Sequence, residues 1–314
     1  MGADKVSSLH PSKSRGVRVE AEEESHLDLA PHFWRFPVKI EDYGTDAYPI
    51  RMSSLTSLQR CPAMSLIGDA RLDLSEQRSG RAAQTGTAVG RIIELWHAGR
   101  AMQDAVRQTT LEAQGQVDKR SALPQADLKK AETWAVGYAE DPRNPQDGVL
   151  ACSLEREVRL ELEPDPEDPT GKPILLVGHT DQVRRNNFGR LELWDVKSGS
   201  PGGAQMLAEY AWQLCAYSLA CTESYGEAVV PGGVIRVRDY TARRIDLMEG
   251  VFYHAAYTLD DARSMMRGVA HHVAMIRKGI VHQHPGVHCL YCPAQGPHLC
   301  GRLLEPLDED WNLG

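Results

Sequence analysis

The chain has 314 residues, 42% of them hydrophobic and 25% charged, with a formal net charge of −8 at pH 7. That length can bury the core of one elaborate domain or two modest ones, and no run approaches the ~18 apolar residues that a membrane span needs. The acidic balance argues against coating nucleic acid by bulk attraction but leaves room for a local basic groove around an acidic metal site.

Residues 1–48 read as an extended or disordered segment that closes on the stretch DYGTDAYPI. Its polar opening lacks the apolar core of a signal peptide, so a cytoplasmic protein without membrane attachment is expected. From Ser53 apolar residues recur at helical spacing, and residues 49–150 are expected to form a helical lobe. Within it, Val89, Ile92, Ile93, Leu95 and Trp96 give the segment from Gly80 to Arg120 a wide apolar stripe, and Ala126–Glu140 reads as another helix. The stretch DPRNPQDG then breaks the pattern.

In SLEREVRLEL the period changes to two, as in a half-exposed strand, and an acidic Pro-rich loop ends it. Two strand-like runs follow, ILLVGHTDQVRR and LELWDVK, separated by the turn-forming NNFGR, which predicts a hairpin. A helix over 204–222, a strand in GGVIRVRDY and a helix over 259–278 complete a core predicted to span 151–280. Residues 281–314 form a Cys- and Pro-rich tail. Helices, an antiparallel meander, then helix, strand and helix fit an α/β sandwich with a mixed sheet.

If the hairpin turn is centred on Phe188, Arg185 faces Leu191 and Asp181 faces Asp195. Lys197 then joins the two carboxylates on one strand face, while Trp194 and Val196 point to the other. Like charges placed opposite one another need a cation between them or shifted protonation, and a divalent metal is the simplest such cation. Carboxylate oxygens suit Mg²⁺ or Mn²⁺, which keep waters and can hold a phosphate oxygen, and Lys197 would position or help deprotonate the attacking water. A lone Asp-x-Lys triplet is ordinarily a solvated strand end. Here it lies in an apolar strand beside a second apolar strand that also carries an aspartate.

These residues resemble the RecB-like PD-(D/E)xK nuclease superfamily, in particular its RecB- and AddB-type iron–sulfur members and its CRISPR-adaptation and phage exonuclease branches. The Gly-x-x-Asp of that family appears as Gly178–Asp181, its Asp-x-Lys as Asp195–Lys197, and its Gln-x-x-x-Tyr as Gln213–Tyr217. Upstream, GTAVGRIIELWH resembles the helix that usually carries a His and, four residues later, a Glu; here Gly90 takes the His position and Glu94 the Glu position. The resemblance implies a restriction-endonuclease-like core, a mixed central sheet flanked by helices, with a helical N-terminal lobe and a Cys-rich C-terminal tail. It implies Asp181, Asp195, Lys197, Gln213 and Tyr217 as catalytic residues, with Glu94, Asp181 and Asp195 as ligands of Mg²⁺ or Mn²⁺. His97, on the same helical face as Glu94, is a further candidate ligand, set against a packing role beside Trp96.

Seven cysteines in a chain without a secretion signal point to metal or buried thiols. Cys152, Cys215 and Cys221 lie in strand or helix segments and read as small buried hydrophobes. Cys61, before a proline, and Cys289, Cys292 and Cys300 resemble the ligand set of a 4Fe–4S cluster that ties the two ends of such nucleases together. Zn²⁺ on the same thiolates, with His288 or His298 replacing one, and unbound thiols are the alternatives.

Arg184, Arg185, Arg190, Arg236, Arg238, Arg243, Arg244, Arg263, Arg267, Arg277 and Lys278 are candidates for tracking a phosphate backbone, against an ordinary role as solvated charge. Trp34, Tyr210 and Trp212 are candidates for stacking on bases. The expectation is a metal-dependent hydrolase of DNA phosphodiester bonds, by resemblance an exonuclease on single strands or duplex ends in recombination, repair or phage replication. A structure-selective endonuclease and a catalytically silent DNA-binding scaffold of a helicase–nuclease complex remain open. No Walker-type Gly-rich loop occurs, so a helicase or recombination partner would be another chain.

Overall fold

A computed structural model describes residues 40–70, 81–114, 123–152, 157–199, 204–240 and 251–281. In chain order the elements are β1 (Ile50–Arg51), α1 (Leu55–Arg60), α2 (Pro62–Ala70), α3 (Arg81–His97), α4 (Met102–Gln114), α5 (Gln125–Glu140), β2 (Val149–Cys152), β3 (Glu157–Leu162), β4 (Ile174–His179), β5 (Gln182–Arg185), β6 (Leu191–Lys197), α6 (Ala204–Tyr225), β7 (Val229–Arg236), β8 (Phe252–His254) and α7 (Leu259–Arg277). A five-stranded sheet runs β2-β5-β6-β7-β8 and a three-stranded one β1-β4-β3. Both are mixed: β6 and β7 are parallel, as are β1 and β4, and the other pairs are antiparallel.

The β5–β6 hairpin has the register expected from its turn, with Arg185 opposite Leu191 and Gln182 opposite Trp194. Asn186 builds the turn by accepting hydrogen bonds from the N–H groups of Phe188 and Arg190, and Gly189 supplies the left-handed residue with φ +80°. The run ILLVGHTDQVRR is not one strand, however. Its first half, β4, pairs with β3 in the small sheet, and its second half, β5, with β6 in the large one, so the chain changes sheets at Thr180 and Asp181.

The stripe expected to continue to Arg120 is divided as well. Gly99, with φ +89°, ends α3: its N–H reaches Trp96 O, and Arg100 N–H reaches Leu95 O, the paired bonds of a glycine-terminated helix. β1, β2 and β8, of two to four residues each, carry too little pattern to be read in advance.

Side chains on β6 and β7 alternate between two cores. Leu193 and Val234 join a cluster with α1, α6 and α7, including Leu58, Leu214 and Ile276. Trp194 and Ile235 turn the other way, into a cluster with α3 and α5 that includes Val89, Ile92 and Ala135. The helices of the segment before β2 are thus shared between both faces of the large sheet.

Arg277, at the end of α7, is pinned inside. Its guanidinium is fully buried against an equally buried Asp168 and also donates to Tyr43 O (2.9 Å) and Lys172 O (2.8 Å). Burial works against the Asp168 charge, but hydrogen bonds from Thr170 and Arg277 outweigh it and hold the carboxyl below its ordinary range. Arg277 was a candidate phosphate contact in the sequence, and its burial removes it from that set. Replacing Arg277 with Ala leaves a buried carboxylate without its cation, so denaturant unfolding should show a loss of roughly 3–5 kcal/mol. A loss under about 1 kcal/mol would show that the pin does not hold the β3–β4 loop.

Candidate active site

β6 is a largely apolar strand that carries Asp195 and Lys197 at its end. Residues 191, 193, 195 and 197 point to the α6 side, so the strand that buries Leu191 and Leu193 also carries Asp195 and Lys197 under α6. Asp195 is only 4% exposed. Lys197 Nζ lies 2.9 Å from Asp195 Oδ1 and 2.8 Å from Oδ2, and Gln213 Nε2 donates to Oδ1 over 3.1 Å. The Oδ2 contact is out of hydrogen-bonding alignment, which leaves this buried oxygen with an ionic neighbour but no hydrogen bond.

Asp181 comes to the same place from the sheet crossover. Its Oδ2 accepts the Val196 N–H over 2.7 Å, which fixes the carboxyl at the end of β6. The Asp195 carboxylate is near enough for its charge to act on that of Asp181. Burial, and next the Asp195 charge, push the Asp181 carboxyl well above the usual carboxylate range, against the opposing pull of Lys197 and the Val196 N–H. For Lys197 burial alone would favour the neutral amine, but the two aspartates outweigh it and hold the ammonium charged.

α6 supplies the roof. Gln213 and Tyr217 lie one turn apart on the same face. Gln213 holds Asp195, while Tyr217, 5% exposed, reaches the Gly-x-x-Asp segment. A Cβ on Gly178 would lie 2.7 Å from Tyr217 Cε1 and 2.8 Å from its hydroxyl, so the glycine is required by this contact. Burial and then the two aspartates push the Tyr217 phenol up and keep it protonated, against the opposing pull of Lys197 and of a hydrogen bond with the His179 backbone.

Two residues of this site carried no motif. Tyr210, three residues before Gln213 on the same α6 face, places its ring 5.0 Å from Lys197 Nζ. Burial raises its phenol pKa and keeps it protonated. Ser198 directly follows Lys197, and a Cβ on Gly86 would sit 2.5 Å from its Oγ, so Gly86 lets α3 close on the end of β6. The helical offset of three from Gln213 was the available signal for Tyr210.

A cavity of about 450 Å³ opens here, walled by Gly86 and Gly90 of α3 on one side and by Asp181, Lys197, Tyr210 and Gln213 on the other. Gly90 faces it, but Glu94 is not part of its wall. Glu94 instead accepts from Arg91 Nη1 over 2.7 Å, and Arg91 bridges on to Glu112 of α4. The expected third carboxylate ligand is therefore engaged between helices, and among the described residues no three His, Cys, Asp or Glu side chains converge on a point.

His97 is engaged likewise. One ring nitrogen meets Gln146 O at 2.9 Å and the other the Tyr138 hydroxyl at 2.8 Å. Burial lowers its pKa to about 4, which leaves a neutral imidazole with both nitrogens in use. Tyr138 continues to Gln182 and Arg184 of β5, so this network braces the strand beside Asp181.

Arg184 is 9% exposed and hydrogen-bonded to Gln182, which takes it out of the group of phosphate-tracking candidates. Arg185 pairs with Glu227, Arg236 with Asp239, Arg263 with Asp260 and Lys278 with Glu167. Trp212 packs edge-on against His272, away from the cavity wall. Cys61, Cys215 and Cys221 are buried, and Cys215 Sγ meets Met265 Sδ at 3.5 Å. Trp34, Arg243, Arg244, His288, His298, Cys289, Cys292 and Cys300 lie outside the described residues. Among the described residues no helix is long and apolar enough to cross a membrane.

A family model for the PD-(D/E)XK nuclease superfamily matches residues 50–297. No curated protein matches the chain. The matched span contains the Gly178–Asp181, Asp195–Lys197 and Gln213–Tyr217 segments that the fold brings together.

Adding a methyl group at Gly178 must displace Tyr217. Gly178→Ala is expected to cost about 1–3 kcal/mol of stability through overpacking. In a Tyr217→Leu background, where the ring is gone, much of that cost should vanish; a fully additive double mutant in thermal unfolding would show that the two residues do not touch.

Proposed function

Because the chain belongs to the PD-(D/E)XK nuclease superfamily, we propose that it hydrolyses DNA phosphodiester bonds as a metal-dependent exonuclease acting on single strands or duplex ends. Members of this superfamily are typically nucleases and generally use Mg²⁺ or Mn²⁺. The single observation that carries the reading is the partly buried Asp181 and the buried Asp195 brought together beside Lys197, with one oxygen of Asp195 lacking any hydrogen bond.

That donor set fits a hard divalent cation, which prefers carboxylate oxygens and keeps waters in its remaining positions. Asp181 and Asp195 would hold it. When bound, the ion supplies a more acidic water and stabilises charge on the phosphate. A two-carboxylate set is enough for Mg²⁺, which is bound through one or two carboxylates plus substrate phosphates.

The chain's own groups do the rest. The Lys197 ammonium, held on Asp195, orients the attacking water and offsets negative charge as it grows on the phosphate. Gln213 fixes the rotamer of Asp195, and the Val196 N–H fixes that of Asp181, so both carboxylates are set before substrate arrives. Tyr217 anchors the Gly-x-x-Asp segment. Gly90 adds no side chain to the α3 wall of the cavity.

The proposal extends to the cysteines: Cys61 with Cys289, Cys292 and Cys300 as holders of a 4Fe–4S cluster, or of Zn²⁺. In its support, Cys61 has a free buried thiol where α1 meets α2, just before Pro62. Protein purified without air should contain about four irons per chain, with acid-labile sulfide, and Cys61→Ser should lower both. One zinc in place of iron would select the alternative, and neither metal would discard the site.

The nuclease itself is tested with end-labelled single- and double-stranded DNA in Mg²⁺, Mn²⁺ or EDTA. Cleavage should vanish in EDTA, and Lys197→Ala should lower kcat at least about a hundredfold. Protein that binds DNA but never cuts it, with either metal and with the cysteine site loaded, would replace the catalytic reading with that of a DNA-binding scaffold.

A further inference from the structure

The α6 face over the site does not stop at the Gln213–Tyr217 pair. Tyr210, Gln213 and Tyr217 fall within one narrow stripe of the helix, at spacings of three and four. Each meets a different site segment: Tyr217 at Gly178, Gln213 at Asp195, Tyr210 at Lys197. Gln213 and Tyr217 are buried and committed to protein partners. Tyr210 is only partly buried and lines the cavity, and among the described residues its hydroxyl has no hydrogen-bond partner.

Two of the other donors at this wall, Lys197 and Gln213, already hold Asp195. Lys197 gives one hydrogen bond to Asp195 Oδ1 and an ionic contact to Oδ2, and the Gln213 amide donates to the same carboxylate. A phosphodiester brought into the cavity carries oxygens that need donors, and an unpaired phenol beside the ammonium is placed to supply one.

We propose that Tyr210 is a further substrate-contact residue, its ring holding the Lys197 ammonium in place and its hydroxyl donating a hydrogen bond to a non-bridging oxygen of the bound phosphodiester. The inference deepens the nuclease reading and rests on it. The ring half is a cation–π contact with a cation that already has its counter-ion, so it sets direction more than affinity. The hydroxyl half would add a hydrogen bond to a charged acceptor, the stronger class of such bonds. The two halves separate cleanly, because Phe keeps the ring and loses the hydroxyl while Leu loses both.

The experiment compares wild type, Tyr210→Phe, Tyr210→Leu and Lys197→Ala as full-length proteins. It reads binding of a fluorescent single-stranded oligonucleotide by anisotropy in EDTA, cleavage of the same oligonucleotide in Mg²⁺ or Mn²⁺, and thermal midpoint. Tyr210→Phe should weaken binding severalfold and lower kcat/KM about tenfold at an unchanged midpoint, and Tyr210→Leu should lower kcat/KM by up to about tenfold more. A Tyr210→Phe protein that binds and cuts like wild type overturns the phosphate contact, while an inactive Lys197→Ala in the same set leaves the nuclease reading standing. A Tyr210→Leu protein no worse than Tyr210→Phe overturns the role of the ring. Wild type that binds but does not cut defeats the nuclease reading alone, since the hydroxyl contact is then read from binding; wild type that neither binds nor cuts overturns both.

Discussion

Two neighbouring carboxylates, Asp195 buried and Asp181 partly so, repel strongly. At 4 Å and the effective dielectric of a protein site, two like charges cost about 4 kcal/mol before any desolvation is counted. The fold around Asp181 and Asp195 is organised to tolerate that repulsion. Lys197 supplies one compensating charge, Gln213 and the Val196 N–H supply directed hydrogen bonds, and the Asp181 carboxyl is pushed towards its protonated form. One oxygen of Asp195 still goes without a hydrogen bond. Such an arrangement is poor as a stabilising feature, because an apolar strand end would cost nothing, and it makes sense as a place prepared for a cation.

Bringing these groups together requires close backbone approaches on two sides. The sheet crossover at Thr180 and Asp181 carries the first carboxylate to the end of β6, and it can do so only because Gly178 leaves room for the Tyr217 ring. On the other side Gly86 lets α3 close on Ser198. α6 is the common element: one face of it touches the crossover, Asp195 and Lys197 in turn, so any shift of that helix moves all three. The Tyr138–His97–Gln182–Arg184 network braces β5 from the opposite core, which makes the crossover rigid from both sides.

Charge is distributed in a way that the net value of −8 conceals. Arg277 and Arg184 are buried and serve the interior, and several exposed basic residues are matched to nearby acids. Exposed pairs of this kind contribute little to stability and lower the local positive field.

How much of this was legible in advance follows from which signals are local. Alternation along β6 and the chemistry of the NNFGR turn are local, and they placed Asp195 and Lys197 on one face and fixed the pairing of Arg185 with Leu191. The three motifs, read in order, marked Gly178, Asp181, Gln213 and Tyr217, all of which gather at the site. Tertiary packing decided the rest. ILLVGHTDQVRR reads as one strand, and only the presence of two partners, β3 and β6, divides it between sheets. Glu94 has the spacing of a ligand, and in the fold it accepts from Arg91, which α4 holds in place through Glu112. Tyr210 became part of the site because α6 lies with that face on Lys197. A sequence states period and turn chemistry within a few residues; which side chain wins a shared partner depends on neighbours scores of positions away, and only the folded chain brings those competitors together.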